Sequence, residues 1–330
     1  MLSKRYRVFL NPVGLVAGIF CCLSILCPAK AAYPERPIKL VVPYTAGGPA
    51  DSLARYIASQ MTQQLGQSVV VENKPGAGLV IGAEYVAKAS PDGYTLLVAA
   101  SSMFIATEGI SRTPIDNLND FAPITLIGSL PLLLVTSPSF EAQNVQSLLT
   151  YLRAHPSEVN YASSGTGSLL HLAGELLLHT AKLQAIHIPY KGVNLAMTDL
   201  AAGRVQFSFA GAPVALPLVE AGRLKAIGVS GSQRLSTQPN IPTIAEQGLP
   251  GFEVISWYGI VTPKGTPETI VQLLYRTITD IMKTPELKEK WFQWGTEANF
   301  SNSPADLEQL MRRDMKKWSD LAQAKSFKLN

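Results

Sequence analysis

Downstream of residue 31 this 330-residue chain has no cysteine, because Cys21, Cys22 and Cys27 are its only three. Their position excludes disulfides, cysteine nucleophiles and thiolate metal sites from the rest of the chain. It also suits an oxidising compartment, where stray thiols are a hazard. The same region has no surplus of either charge. Lys4, Arg5, Arg7 and Lys30 lie in the first 31 residues, which hold no acid, and this leaves 24 basic against 24 acidic side chains. A balanced chain has no electrostatic reason to bind nucleic acid or an anionic membrane. No apolar run after residue 31 reaches the roughly 20 residues that span a bilayer as a helix. Internal repeats, charge runs and low-complexity segments are missing as well.

What is present begins with the first segment. Three basic residues precede an apolar stretch at 13–27, and Ala29-Lys30-Ala31 supplies the small-x-small pattern of a cleavage site. Basic, apolar and small-residue regions in that order form a secretory signal peptide. Cleavage is expected after Ala31, leaving a periplasmic chain of 299 residues. The residues before Cys21, Cys22 and Cys27 are not the small ones of a lipoprotein site, so no lipid anchor is expected. A chain of this length suits two domains of about 100–150 residues each.

Short apolar runs then alternate with amphipathic segments. Strands are expected at 38–42, 69–71, 95–98, 159–162, 185–188, 205–209 and 224–229. Helices are expected at 51–65, 80–89, 169–180, 195–202 and 214–221. Such alternation predicts an α/β fold of largely parallel sheets covered by helices. The last stretch reads as three helices, at 267–282, 285–294 and 304–323, each with proline near its start. Residues 124–136, interrupted at Ser129 and Pro131, and residues 252–263 read as two crossings between domains. That places a signal peptide at 1–31, a discontinuous first domain at 32–134 plus 256–330, and a second domain at 135–255.

Two glycine-rich loops each follow a strand and open a helix. The first is Pro43-Tyr44-Thr45-Ala46-Gly47-Gly48-Pro49-Ala50-Asp51. The first amides of a helix have no partner inside it, and the helix dipole adds positive potential there. Paired glycines let a ligand approach the backbone, so the junction suits a carboxylate or phosphate; a plain tight turn with Asp51 as helix cap is the alternative. The second is Ser163-Ser164-Gly165-Thr166-Gly167-Ser168, which offers neutral donors ahead of the helix at Leu169. It is neither a Walker loop, because no lysine follows the glycines, nor a G-x-S-x-G nucleophile elbow. Neither loop contains Arg or Lys. Gly48→Val is expected to hurt binding most, by blocking the backbone and straining it.

The histidines point weakly elsewhere. His171, Glu175 and His179 share a helix face at i, i+4 and i+8, but the H-E-x-x-H zinc pattern is absent. Ligands two turns apart on one helix make a poor metal site, so neither metal nor cofactor is expected. His171 is expected near the serine-rich loop, and His179 and His187 are expected to be packed or exposed. Trp291, Trp294 and Trp318 read as packing rather than as an aromatic cage.

These segments, in this order, resemble the substrate-binding proteins of tripartite tricarboxylate transporters, often called the Bug family. The blocks that carry it are the first loop, Glu72-Asn73-Lys74-Pro75-Gly76-Ala77-Gly78, Ser90-Pro91-Asp92-Gly93-Tyr94-Thr95-Leu96 and Asp120-Phe121-Ala122-Pro123-Ile124. Later come the second loop with His171-Leu172-Ala173-Gly174-Glu175, then Pro189-Tyr190-Lys191-Gly192, Gly203-Arg204-Val205, Ala221-Gly222-Arg223-Leu224 and Trp257-Tyr258-Gly259. The resemblance implies a type II periplasmic-binding-protein fold that closes like a flytrap on a di- or tricarboxylate, amino acid or aromatic acid. It implies ligand contacts from Tyr44, Ala46, Gly47, Gly48 and Asp51 on one side. On the other it implies Ser163, Ser164, Thr166, Ser168, His171 and Asp199. Leu79, where glycine is common, and the stretch around Asp116 depart from the pattern. A monomer that delivers its acid to the transporter's membrane permease subunits, and catalyses nothing, is the expected whole. An exported ligand sensor for a receptor, or a two-domain α/β enzyme acting on a carboxylate, are the alternatives.

Overall fold

The computed structural model describes residues 33–105, 116, 118–293 and 300–325. The expected signal peptide, most of the stretch before Asp116 and Trp294 lie outside them. The chain divides into two compact units, residues 1–35 and residues 36–330. Of the first, Tyr33, Pro34 and Glu35 are described.

The second unit is built on one nine-stranded mixed sheet. It starts with β1 (Ile38–Val42), helix α1 (Pro49–Leu65) and β2 (Val69–Asn73). Helix α1 forms where apolar Leu53, Ile57 and Met61 recur at helical spacing, and all three are fully buried. Each such burial contributes about 1.5–3 kcal/mol. Pro49 sits at the start of the helix, and Gly66 at φ 68° stops it. A short 3₁₀ turn (Ala77–Leu79) leads into α2 (Val80–Ala87), then β3 (Thr95–Ala100) and the one-turn α3 (Ser101–Ile105). Leu79 has φ 79°, in the left-handed region that glycine prefers.

The two segments read as crossings contain the long strands β4 (Phe121–Thr136) and β9 (Ile255–Pro263). Pro131 does not break β4, contrary to the interruption read from the sequence. The strand absorbs its irregularities as register shifts near Pro123 and Leu126 instead. Residues up to Pro131 pair with β9, and Leu132 onward pairs with β7 (Phe207–Gly211) and β8 (Lys225–Val229). At the changeover Ser230 Oγ accepts the Leu132 amide at 2.7 Å. The rest of this half is α4 (Val145–Ala154), β5 (Asn160–Ser163), α5 (Leu169–Ala181), β6 (Ile186–Pro189), α6 (Val193–Ala201) and α7 (Ala212–Glu220). The chain closes with α8 (Glu268–Met282), α9 (Pro285–Gln293) and α10 (Pro304–Lys325).

Pairing is parallel where strand and helix alternate: β1 with β2 and β3, and β5 with β6 and β7. It is antiparallel wherever β4 or β9 takes part. The sheet is thus two parallel portions joined through two antiparallel strands. Helix α10 serves both. Leu307 and Met311 join the core around β3 and β9, whereas Trp318, Leu321 and Ala322 join the core around β5 and β7.

Candidate functional site

The first loop leaves the carboxyl end of β1, where open parallel sheets bind their ligands. Its shape is set by Asp51 in the first turn of α1. The Asp51 carboxylate is buried, and its Oδ2 accepts the Gly47 amide and Arg55 Nε, each at 2.9 Å. Its Oδ1 accepts Asn73 Nδ2 at 2.9 Å, and the same amide group donates to the Tyr44 carbonyl at 3.0 Å. Burial pushes this carboxyl up, but the bonds from Arg55, Gly47 and Asn73 outweigh it and hold it below the usual carboxylate range. Both oxygens are therefore occupied within the protein. Asp51 shapes the loop and is not the helix cap.

That cap position belongs to Gly48, which has no side chain to offer, so among the described residues no cap side chain accepts the first amides of α1. The Ala50 and Asp51 amides in that first turn thus have no side-chain acceptor and lie in the field of a 17-residue helix. Gly47 carries the loop's unusual backbone, at φ 89°. Gly48 has φ −81° and an extended ψ, which any residue adopts. A Cβ on Gly48 would meet nothing nearer than the Thr45 carbonyl at 4.0 Å. The strain expected at Gly48 is therefore not there, and the space beside its backbone is open. Ala46 is exposed. The half-buried Tyr44 stands edge-on to Tyr258 of β9, with ring centroids 6.2 Å apart, and its hydroxyl lies 3.3 Å from Ser102 Oγ. Burial raises both phenols, so they are neutral donors.

The second loop leaves the carboxyl end of β5. Ser163 is fully buried, and its hydroxyl donates to the Gly165 carbonyl at 3.0 Å while accepting the Gly165 amide at 3.1 Å. Its Oγ also lies 2.7 Å from His187 Nε2. Ser168 caps α5, its Oγ accepting the His171 amide at 3.3 Å. The buried His171 returns the contact, Nδ1 accepting the Gly167 amide at 3.0 Å. Ser163, Ser168 and His171 are thus committed to the loop itself. Ser164 and the exposed Thr166 make no hydrogen bond among the described residues. Their hydroxyls and amides are thus donors that the loop itself does not use.

Asp199, near the end of α6, is also bound internally. Its Oδ2 accepts the Tyr190 hydroxyl at 2.8 Å, and its Oδ1 pairs with Arg204 at 2.7 Å. Those bonds hold the Asp199 carboxyl low. Burial and the same bond push Tyr190 up to about 12. Tyr190 in turn donates its amide to the Ser163 carbonyl at 3.1 Å. Asp199 therefore steadies the second loop through Tyr190.

Three supports escaped the sequence reading: Asn73, Tyr190 and His187. The first two stand in blocks that carried the resemblance, at the ends of strands adjacent to β1 and β5, and strand adjacency was the signal that could have found them. His187, expected to be packed or exposed, contacts the loop at Ser163. Of the other chemistry weighed, Glu175 is buried, His179 is exposed, and Trp291 and Trp318 are buried in the core. Among the described residues no group of three or more His, Cys, Asp and Glu is placed to hold a metal. Ser163 and His187 lie at hydrogen-bond distance like a nucleophile and its base. However, the serine is wholly buried, and its hydroxyl also bonds both backbone groups of Gly165.

Residues 53–327 match the family model described as the tripartite tricarboxylate transporter family receptor. Among characterised sequences, the protein BugT of Bordetella pertussis is 34% identical over 319 residues, covering 95% of this chain and 97% of its own. Among solved structures, the R. palustris protein Rpa4515 with adipate is 34% identical and superposes with a TM-score of 0.72, covering 88% of this chain and 97% of that one. MatC of Rhodopseudomonas palustris with bound malate is 31% identical with a TM-score of 0.69, covering 88% and 99%.

Proposed function

The chain belongs to the tripartite tricarboxylate transporter family of receptors, and from that premise we propose that it captures a small carboxylate between its two glycine-rich loops and hands it to membrane permease subunits. The observation that carries this reading is the uncapped N-terminus of α1, where the Ala50 and Asp51 amides sit beside a glycine that leaves the backbone open. A carboxylate is the natural partner of such amides. Arg55, a cation beside the loop, is already paired with Asp51. Ser164 and Thr166 supply the opposing donors. The relatives solved with adipate and with malate make four- to six-carbon dicarboxylates the first acids to try.

In this reading the protein is a monomer, carries no cofactor and converts nothing. Ser163, which lies at hydrogen-bond distance from His187, is occupied in loop structure. The signal peptide is removed after Ala31 and the mature chain works in the periplasm. Mass spectrometry of exported protein should find Ala32 at the N-terminus; an intact Met1 or a lipid on Cys27 would contradict that step. For the ligand, a thermal-shift screen of dicarboxylates, including adipate and malate, is the test. At about 100 times its dissociation constant, a ligand of the folded state alone stabilises it by roughly 2.7 kcal/mol. One acid should raise the melting temperature by several degrees and be recovered unchanged. Chemical conversion of that acid would favour the enzyme alternative.

A further inference from the structure

Beneath the second loop lies a stack of four rings that no ligand contact explains. Phe207 of β7 packs 5.3 Å from Tyr161 of β5, Tyr161 packs 5.0 Å from His187 of β6, and His187 packs 3.9 Å from His171 of α5. Strand register puts Tyr161 directly opposite both Phe207 and His187, so one pleat direction carries three of the rings. The Tyr161 hydroxyl donates to Glu175 at 2.5 Å. The helix can lie this close because residue 174 is glycine: a Cβ there would stand 2.4 Å from the Tyr161 ring. The two imidazoles end the stack on the loop side, and each has a nitrogen on the loop. His171 Nδ1 accepts from Gly167, and His187 Nε2 meets Ser163 Oγ, which in turn spans both backbone groups of Gly165.

We propose that His187 and His171 are paired positioning residues: they clamp the loop at Ser163 and Gly167, and so leave Ser164 and Thr166 preorganised as the donors for the bound acid. What the loop holds rests on the carboxylate reading above. The clamp itself is a property of the ligand-free chain. The groups facing the two rings are Tyr161, Glu175, Ser163 and each other. Burial, and for His187 the neighbouring His171, lowers both imidazoles, His187 to about 4, with Glu175 opposing. At neutral pH His171 therefore keeps the bare Nδ1 that the Gly167 amide needs.

Amide hydrogen exchange on the ligand-free mature chain tests the clamp. His187→Phe keeps a stacking ring but offers Ser163 no nitrogen, whereas His187→Gln can restore a polar contact. Exchange of the Gly165, Gly167 and Ser168 amides should quicken about tenfold in His187→Phe, the loss of roughly one hydrogen bond, and recover most of the way in His187→Gln. Titration with adipate should follow the same order. A wild-type exchange rate in His187→Phe, or a loop equally loose in both variants, overturns the proposal. If His187→Phe does not fold, Ser163→Ala takes its place, expected to loosen the loop about as much, and unchanged exchange there overturns the proposal. Wild-type protein that binds no acid sinks the carboxylate reading alone, because the exchange comparison still decides the clamp.

Discussion

The Asp51 carboxylate accepts from Gly47, Arg55 and Asn73, and these three bonds tie it to the shape of the loop. Asp51→Ala strands the Gly47 amide and the Asn73 side chain, so it should cost about 1–3 kcal/mol of stability in chemical denaturation. It should also weaken acid binding, because Gly47 at φ 89° loses its anchor. Full stability in that variant would mean that the loop holds its shape without the carboxylate. His187 gives a pH signature of known sign. An unfolded histidine takes up its proton near pH 6.5, whereas the folded chain holds His187 neutral down to about 4. Between those values the unfolded state binds more protons, so stability falls as pH drops through the window and does not depend on this group above it. Urea midpoints of His187→Phe measured from pH 7 to 4 should fall less steeply than those of the wild type. Parallel slopes would show that burial does not hold this ring neutral.

Helix α5 shows how much of an element can be read before its packing is known. Its start after Ser168 and its length follow from the cap and the apolar spacing, and the structure gives Leu169–Ala181. The alternating strands and helices were legible for the same reason, since period and flanking glycines are local signals. The reason residue 174 is glycine was not legible, because it depends on Tyr161 passing beneath the helix. Gly174→Ala should therefore destabilise by about 1–3 kcal/mol through overpacking, although alanine is the better helix former. A melting temperature at or above wild type would show that Tyr161 can yield. Strand β4 failed in the opposite way. Pro131 reads as an interruption on local chemistry, but it pairs regularly with Ile255 of β9 and the strand continues onto β7 at Leu132. The two loops were legible as donor-rich turns. Which loop groups are committed to the protein was not, because His187, Asn73 and Tyr190 arrive from strands distant in sequence.

At the scale of the whole molecule, β4 and β9 are the strands that join the two parallel portions of the sheet. The two-domain division, 32–134 with 256–330 against 135–255, is proposed on that basis, with closure around the acid by bending at these strands. Helix α10 qualifies it, because its second half contributes Trp318, Leu321 and Ala322 to the core of the second portion. Trp318→Ala should accordingly cost about 3–5 kcal/mol of stability in urea, as other buried aromatics do. A cost below about 1 kcal/mol would place the C-terminal half of α10 outside the cooperative core.

The central claim is that neutral donors, and not a salt bridge, hold the acid. Calorimetric titration of the acid that gives the largest thermal shift, into Ser164→Ala, Thr166→Ala, Gly48→Val, Lys191→Ala and Arg204→Ala, tests it most directly. Ser164→Ala and Thr166→Ala should each lose about 0.5–1.5 kcal/mol of affinity, more if a charged oxygen loses its only donor. Gly48→Val should lose more, through blocked approach rather than backbone strain, and the two basic-residue variants should lose less than Gly48→Val. Binding abolished by Lys191→Ala or Arg204→Ala, with the two hydroxyl variants and Gly48→Val binding as wild type, would contradict the account.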